Sequence, residues 1–305
     1  MTLPKSNPPG PATRTDSVPA VSVVVPCFNG GRFLDRLMTS LDAQTFRDFE
    51  ILIVDDGSND DLTAYKLAEL DGRAQVIHRP NGGASAARNT GAREARADIL
   101  FMLDCDDTIE PDFLAATVSA LQAAPADVGM AVAHLKLVGA ESGIIPGYFN
   151  RFDLLFKNTL SSGLVLRKQS WSAVGGYDES MREGYEDWEF SLRLAEAGFC
   201  AVEVARPLYI YHVVGDDQVS SISANVHAKR LYAKLWRQIR DRHPQSYRPS
   251  AMARLWWNGR NTNGSMPLWK GFIGYALAVI LPDASFNQMK ANLHRRRLPP
   301  ETRTA

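Results

Sequence analysis

The hydrophobic positions between residues 21 and 103 fall into short apolar runs, and the segments between these runs place apolar residues three or four positions apart. Short apolar runs bounded by turn-forming residues predict buried strands, whereas the wider spacing predicts amphipathic helices. The predicted strands are Val21–Val25, Phe49–Val54, Gln75–His78 and Ile99–Leu103. Strands that alternate with helices indicate an α/β fold with a doubly wound, mostly parallel sheet flanked by helices.

The rest of the chain divides into a mixed part and a helical part. Strands are predicted at Val128–Val138, Gly163–Arg167 and Ala201–His212, and a helix is predicted at Trp188–Ala197. Residues 1–20 are rich in Pro, Ser and Thr and lack the apolar segment of a secretion signal, so we expect a disordered leader. The expected organisation is this leader, a body over residues 21–220 and a helical, basic C-terminal extension over residues 221–305.

Charge is distributed unevenly between the body and the extension. Residues 1–226 hold 19 Lys and Arg residues against 31 Asp and Glu residues, a net charge of −12. Residues 227–305 hold 15 Lys and Arg residues against 3 Asp and Glu residues, a net charge of +12. A basic extension suggests an anionic partner, with membrane phospholipid and nucleic acid as candidates. An acidic body would repel a polyanion and no nucleic-acid-binding module is visible, so peripheral contact with an anionic membrane is the favoured hypothesis and no nucleic acid is expected. The alternative is an extension that packs its Trp and Leu residues on the body.

Cysteine usage and hydropathy bear on the compartment. The three cysteines have no paired spacing, which indicates neither a disulfide framework nor a zinc site and favours the cytoplasm. The longest apolar stretch, Pro267–Leu281, contains Lys270 and is shorter than the roughly 20 residues that a membrane-spanning helix needs. We therefore expect a cytoplasmic protein, with any membrane contact peripheral and on the inner face of the cell membrane.

Three carboxylates follow the fourth predicted strand, at Asp104, Asp106 and Asp107. Carboxylates this close repel one another unless a cation lies among them, and hard oxygen ligands suit Mg²⁺ or Mn²⁺. The alternative is that Asp106 or Asp107 caps the N-terminus of a helix running through Pro111 and Phe113.

Two further polar segments follow the second and third predicted strands. An acidic side chain in the run Asp55–Ser58 can accept a hydrogen bond from a ribose hydroxyl or a pyrimidine imide, or the run can form an Asx turn. Gly82 and Gly83 precede a predicted helix and would allow an anion to approach its N-terminus. Arg88, in that helix, would contact a nucleotide phosphate or anchor the loop carboxylates.

A second acidic cluster, Gly184–Glu189, stands just before a predicted helix. A carboxylate beside an aromatic ring suits a general base with a sugar stacked next to it, which makes Asp187 the candidate base. The alternative for Asp187 is an ordinary helix N-cap.

Together these motifs resemble glycosyltransferase family 2, whose catalytic domain has the GT-A fold. The matching segments are Val21–Asn29, Gln44–Phe46 with Phe49–Ser58, Asn81–Gly91, Leu103–Asp107, and Gly175–Glu179 with Glu186–Glu189. The resemblance covers roughly residues 21–215. It implies an inverting glycosyltransferase that uses a nucleoside-diphosphate sugar (a UDP-sugar is favoured), a divalent metal (Mn²⁺ or Mg²⁺) and a saccharide or lipid-linked acceptor. Residues 21–110 would form the nucleotide-sugar half and residues 111–220 the acceptor half.

The resemblance also implies a role for each candidate residue. Asp56 would recognise the base and Asp104 would face the ribose or the waters of the metal. Asp106 would bind the metal, and Asp187 would take the proton of the acceptor hydroxyl. The remaining candidates are Pro26, Phe28 and Asn29 bordering the base, Arg88 near the nucleotide pocket, and Tyr185, Glu186 and Trp188 contacting the acceptor.

One segment departs from the family pattern. Many relatives carry a Tyr-Arg-x-His run whose His completes the metal shell, but this chain has Tyr211-His212-Val213-Val214. His212 is thus a displaced candidate for the third ligand, and water, phosphate, Asp216 or Asp217 are alternatives. Two other functions stay open at this point, a nucleotidyltransferase on a related sheet and a catalytically silent scaffold that keeps the GT-A fold.

Overall fold

The computed structural model describes residues 17–160, 163–213, 226–261, 266–281 and 285. The predicted α/β fold is confirmed. The strands are Val21–Cys27 (β1), Phe49–Asp55 (β2), Gln75–His78 (β3), Ile99–Met102 (β4), Thr108–Ile109 (β5), Val128–Gly139 (β6), Gly143–Ile145 (β7), Val165–Arg167 (β8) and Cys200–Val213 (β9). The helices are Gly31–Asp42 (α1), Asp61–Ala68 (α2), Ala84–Glu94 (α3), Phe113–Ala123 (α4), Lys168–Ala173 (α5), Glu186–Glu196 (α6), Val226–Arg242 (α7), Pro249–Gly259 (α8) and Leu268–Ile280 (α9).

The strands of the described residues form one sheet in the order β3-β2-β1-β4-β8-β6-β9-β5, and β7 pairs with β6. The first four strands along the chain are parallel, as predicted. The second half is mixed, because β8 runs antiparallel to β4 and β6 while β9 is parallel to β6 and antiparallel to β5. The carboxyl ends of β1, β2 and β4 therefore meet at one edge of the sheet, where α/β proteins commonly bind ligands.

Helices cover both faces of the sheet, which is why β1 is apolar at nearly every position. Val23 and Val25 point into a buried cluster with α1 and α4, whereas Val24 points into a second cluster with α3, α6 and α7. Gly91 brings α3 close to β1, since a Cβ atom at this position would lie 2.4 Å from Val24 Cγ1. Strand β1 is therefore buried on both faces, between the two apolar clusters.

The C-terminal extension shares the core of the body. Trp236 on α7 is 2% exposed and Met252 on α8 is fully buried, and both belong to the same apolar cluster as Val24. The hypothesis that the extension packs on the body therefore holds for its described residues. The side chains of Lys229 and Arg230, and all of Arg295–Arg297, lie outside the description.

A short 3₁₀ turn at Asp153–Leu155 is the meeting point of these elements. Its carbonyl oxygens accept hydrogen bonds from aromatic side chains of the helical layer. Trp188 Nε1 donates to Leu154 O at 2.6 Å, Trp236 Nε1 donates to Leu155 O at 2.8 Å, and the Tyr247 hydroxyl donates to Leu155 O at 2.5 Å. The aromatic residues of the extension thus satisfy backbone groups that would otherwise be buried without partners.

Ion pairs tie the extension to the segment before α6 and to α6 itself. Lys234 pairs with Glu183, and the Arg242 guanidinium pairs with Asp178. His243 lies between two glutamates of α6.

None of the helices in the described ranges is long and apolar enough to span a bilayer.

Candidate active site

The loops after β1 and β2 are joined by backbone and side-chain hydrogen bonds. The Asp56 N–H donates to Cys27 O at 2.8 Å. Asn29 has a φ of 50°, in the left-handed region that Asn tolerates, and its side-chain amide exchanges two 2.9 Å hydrogen bonds with Asn59. Phe28 is 50% exposed and Pro26 is partly buried. An exposed aromatic ring thus stands at the edge of the sheet, in the position predicted to border the base.

Asp56 is turned into the protein and organises the loop before α3. Its carboxylate accepts from Arg79 Nη1 at 2.6 Å, from Gly83 N at 2.7 Å and from Gly82 N at 3.0 and 3.1 Å. The residue is 3% exposed. The Asx-turn alternative holds for its neighbour Asp55, which accepts from Ser58 N at 2.9 Å. Recognition of the base by Asp56 stays a prediction, since the carboxylate shown here already holds the loop.

Arg88 on α3 is a buried link between two acidic segments. Its Nη2 lies 2.5 Å from Asp104 Oδ1, and its Nη1 lies 2.7 Å from Glu186 Oε1. The Tyr177 ring centroid lies 5.4 Å from the guanidinium carbon. Burial alone would lower the pKa of Arg88, but the two carboxylates outweigh it and raise the pKa further. Of the two predicted roles, the structure shows the anchoring of the loop carboxylates.

The carboxylates after β4 have separate environments. Asp107 is buried and accepts from the Tyr209 hydroxyl at 2.8 Å and from His212 N at 3.1 Å, which ties the loop to β9. Asp106 is partly buried, and burial together with the charge of Asp104 raises the pKa of Asp106 to about 6. The N-cap alternative for Asp106 and Asp107 is wrong, because helix α4 starts later and its N-cap residue is Asp112.

His212 lies on β9 beside this loop. Its Nε2 is 2.8 Å from Thr108 Oγ1, and its backbone N–H binds Asp107. Burial, with the nearby charge of Arg36, lowers the pKa of His212 to about 4, so the imidazole is neutral at physiological pH, as a metal ligand requires. Asp216 and Asp217, the alternatives for a third ligand, lie outside the described residues.

Asp187 is in the first turn of α6 and is partly buried. Its Oδ2 accepts from Asn158 Nδ2 at 2.8 Å and its Oδ1 accepts from its neighbour Trp188 N at 2.8 Å. Burial and the charge of Glu186 raise the pKa of Asp187 to about 7, against the lowering effect of Arg88. The N-cap alternative is wrong, since the N-cap residue is Tyr185. A carboxylate with this pKa can accept a proton near neutral pH.

Of the three residues predicted to contact the acceptor, Trp188 is not available at the surface. It is 1% exposed, and its indole N–H is bonded to the 3₁₀ turn. This prediction is corrected, because the indole forms part of the core below α6. Tyr185 is partly buried, adopts φ 62° and packs edge-on against Trp188 with ring centroids 5.4 Å apart. The Glu186 carboxylate is already paired with the Arg88 guanidinium.

The Asn89 side chain joins two motifs that are distant in the sequence, Asn81–Gly91 and Gly175–Glu179. Its side chain accepts from Tyr177 N at 2.8 Å and donates to Tyr177 O at 2.9 Å. Gly176 has a φ of 76°, and a Cβ atom there would lie 2.4 Å from Asn89 Oδ1. The Gly175–Glu179 segment is therefore fastened to α3 by a contact that only glycine permits.

Three polar residues that hold the site together were not among the predicted site residues. Arg79 holds Asp56, Asn158 binds Asp187, and Arg36 Nη2 donates to the backbone oxygen of Asp106 at 2.6 Å. Arg79 stands next to the glycine motif, so its position is a usable signal. Asn158 and Arg36 follow no pattern that periodicity or spacing reveals.

The site carries an excess of negative charge that fits a cation. The charge of Asp104 acts on both Asp106 and Asp187, Glu186 acts on Asp187, and Arg88 pairs with Asp104 and Glu186. Within the described ranges, no three His, Cys, Asp or Glu side chains are arranged to enclose a metal ion. The carboxylates of Asp104 and Asp106 are hard oxygen ligands that fit Mg²⁺, an ion that usually takes one or two protein carboxylates and completes its shell with water and phosphate.

Comparison with protein families and relatives agrees with these motifs. The family model described as "Glycosyl transferase family 2" matches residues 22–141. The succinoglycan biosynthesis protein ExoO of Rhizobium meliloti is 31% identical over 227 residues, which cover 68% of this chain and 63% of ExoO. Matches to three other curated relatives span only 27–28% of their length.

Solved structures show the same architecture. Staphylococcus aureus TarS in complex with UDP-GlcNAc superposes with a TM-score of 0.58 at 18% identity, covering 72% of this chain and 65% of TarS. The mannosyltransferase PcManGT from Pyrobaculum calidifontis, in complex with GDP-Man and Mn²⁺, has a TM-score of 0.54 at 18% identity and covers 93% of this chain and 86% of PcManGT. At this identity the similarity establishes the GT-A fold.

Proposed function

This chain belongs to glycosyltransferase family 2, and on that basis we propose that it transfers a sugar from a nucleoside-diphosphate sugar to a hydroxyl of a saccharide or lipid-linked acceptor, with inversion at the anomeric carbon. The observation that carries the proposal is Asp187, a partly buried carboxylate whose pKa is raised to about 7. It stands beside the Arg88–Glu186 ion pair, which connects it to the loop after β4.

In this mechanism, Asp187 acts as the general base. Its carboxylate takes the proton of the acceptor hydroxyl while the hydroxyl oxygen attacks the anomeric carbon and the bond to the diphosphate oxygen breaks. A single displacement inverts the anomeric configuration. Asn158 and the backbone N–H of Trp188 hold the carboxylate in place. A general base is most effective when its pKa is near the working pH, which agrees with the raised pKa of Asp187.

The donor would bind at the edge formed by the loops after β1, β2 and β4. Pro26, Phe28 and Asn29 would border the base, and Asp56 would contact it or hold the adjoining loop. UDP is the favoured nucleotide by family resemblance, and a structural neighbour holds UDP-GlcNAc.

Asp106 is the proposed metal residue, with Asp104 and His212 as further candidates. A bound Mn²⁺ or Mg²⁺ would neutralise charge on the departing diphosphate. The excess of carboxylates around Arg88 supports this assignment, and so does the Mn²⁺ in the PcManGT complex.

A thermal-shift screen of UDP, GDP, TDP and CDP, each with and without Mn²⁺ or Mg²⁺, tests the donor site. A ligand that binds the folded protein raises its Tm, so we expect one nucleotide to do so only with metal. Asp106→Asn should abolish the shift, whereas Asp71→Asn, at an exposed loop position, should preserve it. No shift with any nucleotide and metal would refute the donor site and favour the silent-scaffold hypothesis.

Asp187→Asn tests the base. Turnover of the donor should fall by roughly 10²- to 10⁴-fold, the usual contribution of general-base catalysis, while metal-dependent nucleotide binding is retained. The control is Glu183→Gln, which breaks a surface ion pair in the segment before α6. Full activity of Asp187→Asn would overturn the assignment.

A further inference from the structure

Helix α9 has two faces with different environments. Its inner face packs on the core, where Tyr275 contacts the rings of Trp236 and Tyr247, each at 6.3 Å between centroids. Gly271 lies so close to Phe152 that a Cβ atom would be 2.5 Å from Phe152 Cζ. The helix is thus firmly seated, and its outer face is fixed in direction.

The outer face of α9 is an apolar stripe. Trp269, Ile273 and Ile280 expose 60%, 50% and 75% of their surface, and Ala276 between them is also exposed. The spacing of four, three and four residues puts these four side chains on one side of a helix. Helices that face water normally carry polar residues at such positions, so this stripe, Trp269–Ile273–Ala276–Ile280, indicates a surface that is covered in use.

The charges of the chain segment that contains the stripe are all positive and favour an anionic partner. Residues 243–282 contain no Asp or Glu, and their charged residues are Arg248, Arg254, Arg260 and Lys270. Lys270 Nζ lies 5.4 Å from the Trp269 ring centroid, and the Arg260 guanidinium lies 3.6 Å from the ring centroid of Trp257, which is itself 60% exposed. Indole rings with adjacent cations are typical of residues at the level of lipid headgroups, where the ring enters the apolar layer and the cation meets phosphate.

We propose that the α9 stripe docks on an anionic lipid bilayer, with the helix axis parallel to the membrane plane. At about 1.5 Å per residue, a 13-residue helix is about 20 Å long, too short to cross an apolar layer of about 30 Å. Ile273 and Ile280 neither stack on bases nor pair with phosphates, so the stripe does not fit a nucleic acid. This docking does not depend on the proposed transferase activity.

Co-flotation of the 305-residue chain with vesicles tests the docking. We expect binding to vesicles that contain phosphatidylglycerol, weaker binding to pure phosphatidylcholine, and release as salt is raised. The triple variant Trp269→Gln, Ile273→Gln, Ile280→Gln should lower the partition coefficient by at least about tenfold, because apolar contact area is lost. Lys270→Gln should lower it by about fivefold on anionic vesicles only.

The matched control removes three other exposed apolar side chains, at Leu62, Ile144 and Ile145. Leu62→Gln with Ile144→Thr and Ile145→Thr should bind vesicles as the unmodified protein does. Circular dichroism and metal-dependent nucleotide binding show whether each variant is folded, and donor turnover is measured separately, so that loss of docking and loss of catalysis are distinguished.

Three results would overturn the proposal. The unmodified protein does not bind anionic vesicles, or the α9 triple variant binds them as well as the control does. The third result is that light scattering shows a dimer of the unmodified protein and a monomer of the α9 triple variant, while neither protein binds vesicles. That last result would assign the stripe to contact between two copies of the chain.

Discussion

At the scale of single residues, the protonation state of Asp187 depends on its burial and on the charges that surround it. Burial raises the pKa of Asp187, as do the charges of Glu186 and Asp104, while the charge of Arg88 lowers it. Asp187 acts as a base only in its ionised form, which is populated above its pKa. The kcat/KM of transfer should therefore rise with pH and level off above a midpoint of about 7.

A pH–rate profile under saturating metal checks this prediction. The residual activity of Asp187→Asn should lack the rising limb, whereas Asp71→Asn should retain it. A midpoint near the ordinary pKa of an exposed Asp, about 4, would contradict the burial of the carboxylate.

Arg88 is the second residue whose removal should have a large effect. Arg88→Met leaves Asp104 and Glu186 without their shared cation in a site with little access to water. Breaking a buried ion pair on one side typically costs about 3–5 kcal/mol, and we expect a loss of this size in the free energy of unfolding. The midpoint of the pH–rate profile should also move upward, because the Arg88 charge lowers the pKa of Asp187.

Denaturant unfolding of Arg88→Met measures that loss, with Arg93→Met as the control. Arg93 is on the same helix but is exposed, so its removal should change the stability by less than about 0.5 kcal/mol. Equal stabilities of the two variants would show that Arg88 has no structural role.

At the scale of elements, His243 fastens the end of α7 to α6. Its Nδ1 lies 2.8 Å from Glu196 Oε2 and its Nε2 lies 3.5 Å from Glu189 Oε1. Burial alone would lower the pKa of His243, but the two glutamates outweigh burial and raise the pKa to about 9. A raised pKa means that the stabilisation is complete below the unfolded value of about 6.5 and is lost as pH rises through about 9.

The unfolding free energy of the unmodified protein should therefore exceed that of His243→Gln at low pH. The difference should shrink by about 2–3 kcal/mol between about pH 6.5 and 9, from the size of the pKa shift. Chemical denaturation at a series of pH values tests this. A difference independent of pH would mean that His243 contributes packing but no charge interaction.

Strands β1, β2 and β4 of the parallel half were predictable because they are buried on both sides and therefore nearly continuously apolar. Strand β8 was predicted from Gly163 but begins at Val165. The two alternative roles for Asp187 and for the carboxylates after β4 were not separable from sequence, since a helix N-cap uses the same residue types as a general base or a metal ligand. The prediction that Trp188 contacts the acceptor was wrong because its hydrogen-bond partner, Leu154 O, lies 34 positions away in the sequence. Periodicity does not reveal a contact over that distance.

At the scale of the whole molecule, the body and the extension form one hydrophobic unit. Trp236→Ala should lower the free energy of unfolding by about 3–5 kcal/mol, as expected for a large buried aromatic side chain. Trp257→Ala, at a 60% exposed position of the same extension, should change it by less than about 0.5 kcal/mol. Thermal and denaturant unfolding of both variants measure the contrast, and similar losses would show that the extension is not part of the core.

The aromatic donors around the 3₁₀ turn also determine which contacts of the core can form only late in translation. When the ribosome has released the strands, the Leu155 carbonyl oxygen still lacks its two aromatic donors, because Trp236 and Tyr247 are synthesised more than 80 positions later. Until then, the growing chain presents an apolar surface with an unpaired backbone oxygen, the kind of surface that aggregates or recruits chaperones. We therefore expect the core around the 3₁₀ turn to stay incomplete during translation until the helices of the extension have left the ribosome.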